Sequence, residues 1–166
     1  MSAERNIFDN QIIPVFRSYL KEGDNILDIG KSNDDLSTYY KNMFPNMIYK
    51  TSDIEGAKNP DITDDMENTK IPENSFDGII CFGVWEMCNY SPFDLYKGMM
   101  KILKTNGYFL FGIKLTGYPV EWNYDWFRFT PNGAKRLLKD CKILYEHTAE
   151  RNDSAAYYFV VGQKIL

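Results

Sequence analysis

The sequence predicts an α/β fold: a doubly wound, mostly parallel sheet that ends in an antiparallel C-terminal hairpin. Three observations lead there. Helical and strand periodicities alternate along all 166 residues. Phe76 to Gly83, FDGIICFG, is an unbroken apolar run of the kind buried on both faces of a parallel sheet. Two apolar strand patterns close the chain, KILYEHTAE and AAYYFVVGQKIL, with only RNDS between them.

The elements follow in order. Ile7, Phe8, Ile12, Val15, Phe16, Tyr19 and Leu20 recur at helical spacing, which predicts an amphipathic helix interrupted or kinked near Pro14. Ile26 to Gly30 is a short buried strand. Residues 35–43 predict a brief helix with Asp34 or Asp35 as N-cap. Met47 to Asp53 is a second strand that ends on an acid. The polar stretch NPDITDDMENTKIPENS is a loop with a short strand at Asp61 to Thr63. After the apolar strand, Ser91 caps a helix running to Leu103, with Pro92 in its first turn and Leu95, Met99, Ile102 and Leu103 along one face. Asn106-Gly107 is the expected end of that helix, and Tyr108 to Leu115 the next strand. A loop rich in Pro and Tyr leads to a helix over Pro131 to Cys141 capped by Thr130.

Composition narrows the function classes. The length fits one domain spanning residues 1–166, with 44% hydrophobic and 25% charged residues, as in ordinary globular proteins. A net charge of −4 argues against a phosphate-backbone partner, so no nucleic acid is expected. The first residues, MSAERNIFDNQIIP, lack a signal pattern and no apolar run approaches a membrane span; a cytoplasmic protein without a membrane partner is expected. Cys81, Cys88 and Cys141 are odd in number and lack CxxC spacing, and His147 is the only histidine, so neither a disulfide framework nor a metal site is implied. The aromatic share of 16%, with twelve tyrosines, fits either pockets or the edge of the core.

In a doubly wound sheet ligands bind at the carboxyl ends of the strands, beside the point where strand order reverses. Acids and glycines gather there. Asp28 and Gly30 follow the first strand, Asp53 ends the second, Asp65 lies in the next loop, and Gly83 to Glu86 follow the long apolar strand. Asp53 suits a ribose, because a carboxylate at a strand end accepts protons from both hydroxyls; a plain surface acid is the alternative.

ILDIG, the acid in YKTSDIE, DDMENTKIPENSFDGIICFGVWE and LKTNGYFLFGI, taken in that order, resemble the class I S-adenosylmethionine-dependent methyltransferases. The resemblance covers residues 24 to 115, and the closing hairpin also suits that Rossmann-like family. YDWFRFTPNG, Tyr124 to Gly133, is similar to a motif of the branch that modifies sugars, lipopolysaccharide and small molecules. The resemblance implies S-adenosylmethionine as cofactor and a small-molecule acceptor, such as a sugar or nucleotide-sugar.

It also implies roles. Asp65 and Met66 stand where the family meets the adenine, although Asp61, Asp64 and Glu67 are competing acids. Gly30 allows close backbone approach to the methionine part of the cofactor, and Asp28 orients that loop or reaches the amino group. Gly83, with Phe82, Val84 and Trp85, stands where an apolar wall beside the methyl is expected; a core tryptophan is the alternative for Trp85. Two departures stand out: Ser32 and Asp34 occupy the next two glycine positions of the first loop, with Lys31 as the compensating charge, and Glu86-Met87 replaces Glu-His. Glu86 is therefore the first candidate base and Asp125 the second. Tyr124 and Arg128 are candidate substrate-binding residues. Arg128 either grips an anionic substrate or pairs with an acid such as Asp125. Tyr118, Trp122, Tyr124 and Trp126 form either a stacking surface or the loop's own packing.

Two functional classes stay open. One is an active methyltransferase whose acceptor pocket comes from residues 84–91 and 116–130 or from a second subunit, as in a homodimer. The other is a catalytically inactive domain that binds or scaffolds.

Overall fold

The computed structural model describes residues 3–30, 34–54, 59–115, 126–151 and 154–165. Lys31, Ser32, Tyr118, Trp122, Tyr124 and Asp125 lie outside them, and so do the readings placed on these residues; nothing is described of the Asp34 side chain. Among the described residues seven strands form one sheet: β1 (Asn25–Ile29), β2 (Ile48–Asp53), β3 (Ile62–Thr63), β4 (Phe76–Phe82), β5 (Leu103–Lys114), β6 (Cys141–Arg151) and β7 (Ser154–Lys164). Their order is β3-β2-β1-β4-β5-β7-β6. The pairs from β3 through β5 are parallel, and β7 runs antiparallel to both β5 and β6. The expected fold class is the observed one. The hairpin does not simply extend the edge, however: its second strand enters the sheet and its first becomes the edge.

Alternation sends side chains to two cores. Leu27, Ile29, Ile79, Cys81, Phe109, Phe111 and Val160 face α4 (Pro92–Ile102) and α5 (Pro131–Leu137). Ile26, Ile80, Leu110, Phe159 and Val161 face the N-terminal helix and α3 (Asp34–Met43). Strand order reverses between β1 and β4, adjacent strands whose register pairs Asp28 with Ile80.

The N-terminal helix consists of α1 (Ala3–Ile7), a π-helical turn (Phe8–Ile12) and α2 (Ile13–Arg17). The irregularity precedes Pro14 because a proline ring crowds the carbonyl four residues back and has no N–H to give it. One extra residue per turn relieves that crowding, and Ile13 N–H bonds to Phe8 O, five residues back. Helix α3 runs from Asp34 to Met43, which places Asp35 inside its first turn; the capping role read for Asp34 lies outside what is described.

The expected helix end at Asn106-Gly107 is not there. Leu103 turns extended at φ −74°, ψ 131° and starts β5 directly after Ile102. Asn106, at φ 65°, sits inside β5, where the register jumps from Phe76↔Leu103 to Gly78↔Tyr108. Asn106-Gly107 is thus a bulge, and a Cβ on Gly107 would lie 2.8 Å from Lys104 O. Helix α5 stops at Leu137, short of Cys141, which opens β6. No described helix is long and apolar enough to cross a membrane.

Candidate active site at the strand ends

The first wall of the site is the end of β1. Gly30 has φ +85°, a conformation that side-chain-bearing residues rarely adopt, and its N–H donates to Ser52 O at 2.9 Å, tying the β1 turn to β2. A Cβ on Gly30 would come within 2.3 Å of Val84 Cγ2, so the turn after β4 presses directly on the turn after β1. Asp28 faces the N-terminal helix and accepts a hydrogen bond from Tyr49 Oη at 2.5 Å. Burial pushes its carboxyl up to about 7; the Tyr49 bond and the Arg5 charge pull the other way. Arg5 itself hydrogen-bonds the Tyr40 hydroxyl and lies 5.2 Å from the Phe82 ring, and Tyr40 donates to the buried Asp9 at 3.0 Å. Neither Tyr49 nor Arg5 stood out in the sequence. Tyr49 lies four residues before Asp53 on the same strand, the only signal that pointed to it.

Asp53 ends β2 as expected. Its carboxylate accepts the N–H of Ile54 at 2.8 Å, and its carbonyl accepts from Asp64 N at 2.9 Å. Of the competing acids, Asp61 holds both the N–H and the hydroxyl of Thr51, at 2.8 and 3.0 Å, which makes it a brace for β2. Asp64 receives Lys70 N–H at 3.0 Å. Asp65 caps the short 3-10 turn Met66–Asn68 by accepting from Glu67 N at 3.0 Å. Met66 is 4% exposed and packs into the core beneath α4. There Gly98 lets the helix touch the turn: a Cβ on it would fall 1.8 Å from Met66 O.

The other wall follows β4. Gly83 has φ +73°, and the nearest atom to a Cβ placed on it is Glu86 Oε1 at 3.8 Å. Glu86 sits in a 3-10 turn, Trp85–Met87, and is 3% exposed. Its carbonyl accepts both Trp126 N at 2.8 Å and Phe127 N at 3.1 Å, so the segment from 126 to 130 is docked on the turn that carries the candidate base. The Cys81 thiol is pushed well up by burial and further by the nearby charges of Asp28 and Glu86. Trp85 is 0% exposed, with its ring 5.1 Å from Phe111 and 6.3 Å from Phe129, and thus belongs to the core instead of forming a wall for the methyl.

The FRFTP stretch has a visible structural role. Phe127 and Phe129 pack against the core, while Thr130 accepts Gly133 N–H at 3.0 Å and caps α5 with Pro131 behind it. Arg128 lies between the two phenylalanines on the exposed side and donates to Phe127 O at 2.8 Å. Trp126 is 60% exposed. His147 lies on the edge strand β6.

Residues 31–111 match the family described as "Methyltransferase domain", a span just under half of the chain. Solved structures share the fold over nearly the whole length. A SAM-dependent methyltransferase from Methanosarcina mazei is 16% identical with a TM-score of 0.65, covering 92% of this chain and 98% of its own. A SAM-dependent methyltransferase from Aquifex aeolicus is 12% identical, TM-score 0.68, over 98% and 93%. The 1,6-didemethyltoxoflavin-N1-methyltransferase of Burkholderia thailandensis, solved with bound 1,6-didemethyltoxoflavin and S-adenosylhomocysteine, is 12% identical, TM-score 0.68, over 97% and 82%. No curated protein sequence matches. The structural likenesses show the fold, and the partial match to the methyltransferase domain model runs from just after β1 into β5, the stretch in which that fold places its strand-end site.

Proposed function

We propose that the chain is an S-adenosylmethionine-dependent methyltransferase acting on a small molecule of the sugar or nucleotide-sugar type. The observation that carries this reading is the meeting of two left-handed glycine turns, Gly30 and Gly83, at the ends of adjacent parallel strands, with Asp53 on one side and the buried Glu86 on the other. The residues fit the cofactor. Gly83 brings its bare backbone up to the Glu86 carboxylate, whose Oε1 lies 3.8 Å from where a Cβ would stand, Asp53 offers a two-pronged acceptor for a ribose, and Asp65 with Met66 borders the adenine side.

When bound, S-adenosylmethionine supplies an electrophilic methyl on a sulfonium. The chain's own work is positioning, which accounts for much of the acceleration in such transfers. Asp53 holds the ribose hydroxyls, the left-handed turns at Gly30 and Gly83 shape the backbone beside the cofactor, and Glu86 receives the acceptor's proton. The 126–130 segment, fastened to Glu86 O, borders the acceptor, where Trp126 offers an exposed ring for a sugar face and Arg128 a cation for a phosphate. The sugar assignment is supported by the likeness of Tyr124 to Gly133 to the sugar-modifying branch.

One observation favours the second reading, a domain that binds without catalysis: Val84 Cγ2 already occupies the space over Gly30. Calorimetric titration with S-adenosylmethionine and S-adenosylhomocysteine separates the two. Saturable heat is expected, and loss of two charge-assisted hydrogen bonds in Asp53→Ala should weaken binding by roughly 100-fold. No heat and no thermal shift at millimolar ligand overturns the enzyme reading.

A further inference from the structure

Glu67 looks in sequence like one more acid of a solvated loop, yet its carboxylate ties the 3-10 turn Met66–Asn68 to the loop that follows the Glu86 turn. Its Oε2 accepts Asn89 N–H at 2.6 Å, and its Oε1 accepts the N–H groups of Tyr90 and Ser91, each at 2.7 Å. Three consecutive amides thus converge on one carboxylate that is 22 to 24 residues away in sequence. Hydrogen bonds to an ionised acceptor are shorter and stronger than neutral ones, and these lengths agree.

The geometry on either side gives the clamp its meaning. Glu67 belongs to the 3-10 turn that Asp65 caps, next to Met66. The amides it holds belong to the strand of loop between the Glu86 turn and α4. Ser91, the last of them, accepts Phe93 N–H at 3.1 Å and caps α4, whose Gly98 rests on Met66 O. Turn, loop and helix therefore form a closed circuit with the Glu67 carboxylate as its polar link.

We propose that Glu67 is a positioning residue that fixes the 89–91 loop, and through it the Glu86 turn, against the turn carrying Asp65 and Met66. The assignment of those two turns to acceptor and cofactor rests on the proposed function; the clamp itself does not. Amide hydrogen exchange, read residue by residue by NMR, tests it on the full chain as wild type, Glu67→Gln and Glu67→Ala. In the wild type Asn89, Tyr90 and Ser91 should exchange slowly for exposed loop amides. Glu67→Ala should speed all three by at least about tenfold while Ile79 and Ile80 in β4 keep their protection. Glu67→Gln, which keeps an acceptor oxygen in the same place, should restore part of the protection, an outcome that general loosening of the fold does not produce. Equal exchange at 89–91 in wild type and Glu67→Ala overturns the proposal, and so does a glutamine variant no better than alanine. Titration with S-adenosylhomocysteine adds a second reading: Glu67→Ala should bind about tenfold more weakly than wild type, with Glu67→Gln between, and unchanged affinity overturns the positioning role. If the wild type binds no S-adenosylhomocysteine, the methyltransferase reading fails, and the exchange rates still decide the clamp.

Discussion

Replacing Asp28 by asparagine should stabilise the protein, and only above a definite pH. Burial raises this carboxyl from its ordinary 3.8 to about 7, against the pull of the Tyr49 hydroxyl and the Arg5 charge. Below 3.8 the group is neutral in both the folded and unfolded chain, so it imposes no penalty. As pH rises from 3.8 to about 7, the unfolded chain releases the proton while the folded chain keeps it, and stability falls through that window. Such a displacement corresponds to about 4 kcal/mol, an upper figure because part of the side chain reaches solvent. Asparagine has no proton to release and still offers an oxygen to Tyr49. Urea unfolding of both proteins across this pH range is the assay. The two should be nearly equal in stability at about pH 4, with the variant ahead by roughly 2 to 4 kcal/mol at about pH 8. At a slope of roughly 2 kcal/mol per molar urea, the midpoint should move up by about 1 to 2 M. A stability difference that stays constant across the range, or a variant less stable at high pH, refutes the reasoning, since either result means that Asp28 does not carry the desolvation cost. If Asp28 also reaches the cofactor, the same variant should lose affinity for S-adenosylhomocysteine while gaining stability.

Three more outcomes are expected. Val84→Ala removes the methyl carbon that sits over Gly30, so it should raise S-adenosylhomocysteine affinity several-fold at a stability cost of about 1 kcal/mol; unchanged calorimetric affinity would show that Val84 is not in the ligand's path. Glu86→Gln should slow methyl transfer by roughly 100-fold or more while leaving cofactor affinity within a factor of a few, and an unaltered single-turnover rate removes Glu86 from the chemistry. Thr130→Ala deletes the cap of α5 and should cost about 1 kcal/mol in thermal or urea unfolding; a neutral effect would mean that the Thr130 cap contributes nothing to the hold that the phenylalanines and the Glu86 carbonyl have on this stretch.

Several elements were legible because their causes are local. An apolar run buried on both faces marks β4, Ser91-Pro92 and Thr130-Pro131 mark two helix starts, and an acid closing β2 marks Asp53. Asn106-Gly107 was misread for an instructive reason. A residue at positive φ followed by glycine serves a helix end and a strand bulge equally well, and only the pairing of β5 with β4 decides between them.

The sequence by itself determined the alternation of strands and helices, hence the doubly wound sheet, and with it the strand ends where the candidate site residues gather. Those follow from side-chain period, caps and turn residues, which act over a few neighbours. The tertiary structure alone decided that β7 enters the sheet between β5 and β6, that Val84 closes on Gly30, that Trp85 is core, that Tyr49 is the partner of Asp28 and that Glu67 gathers three amides of a distant loop. Asp28 and Tyr49 stand 21 positions apart, Glu67 and its amides 22 to 24, and Gly30 and Val84 farther still, so no local pattern relates them. Their meeting depends on how the strands are ordered and how closely the turns above them pack.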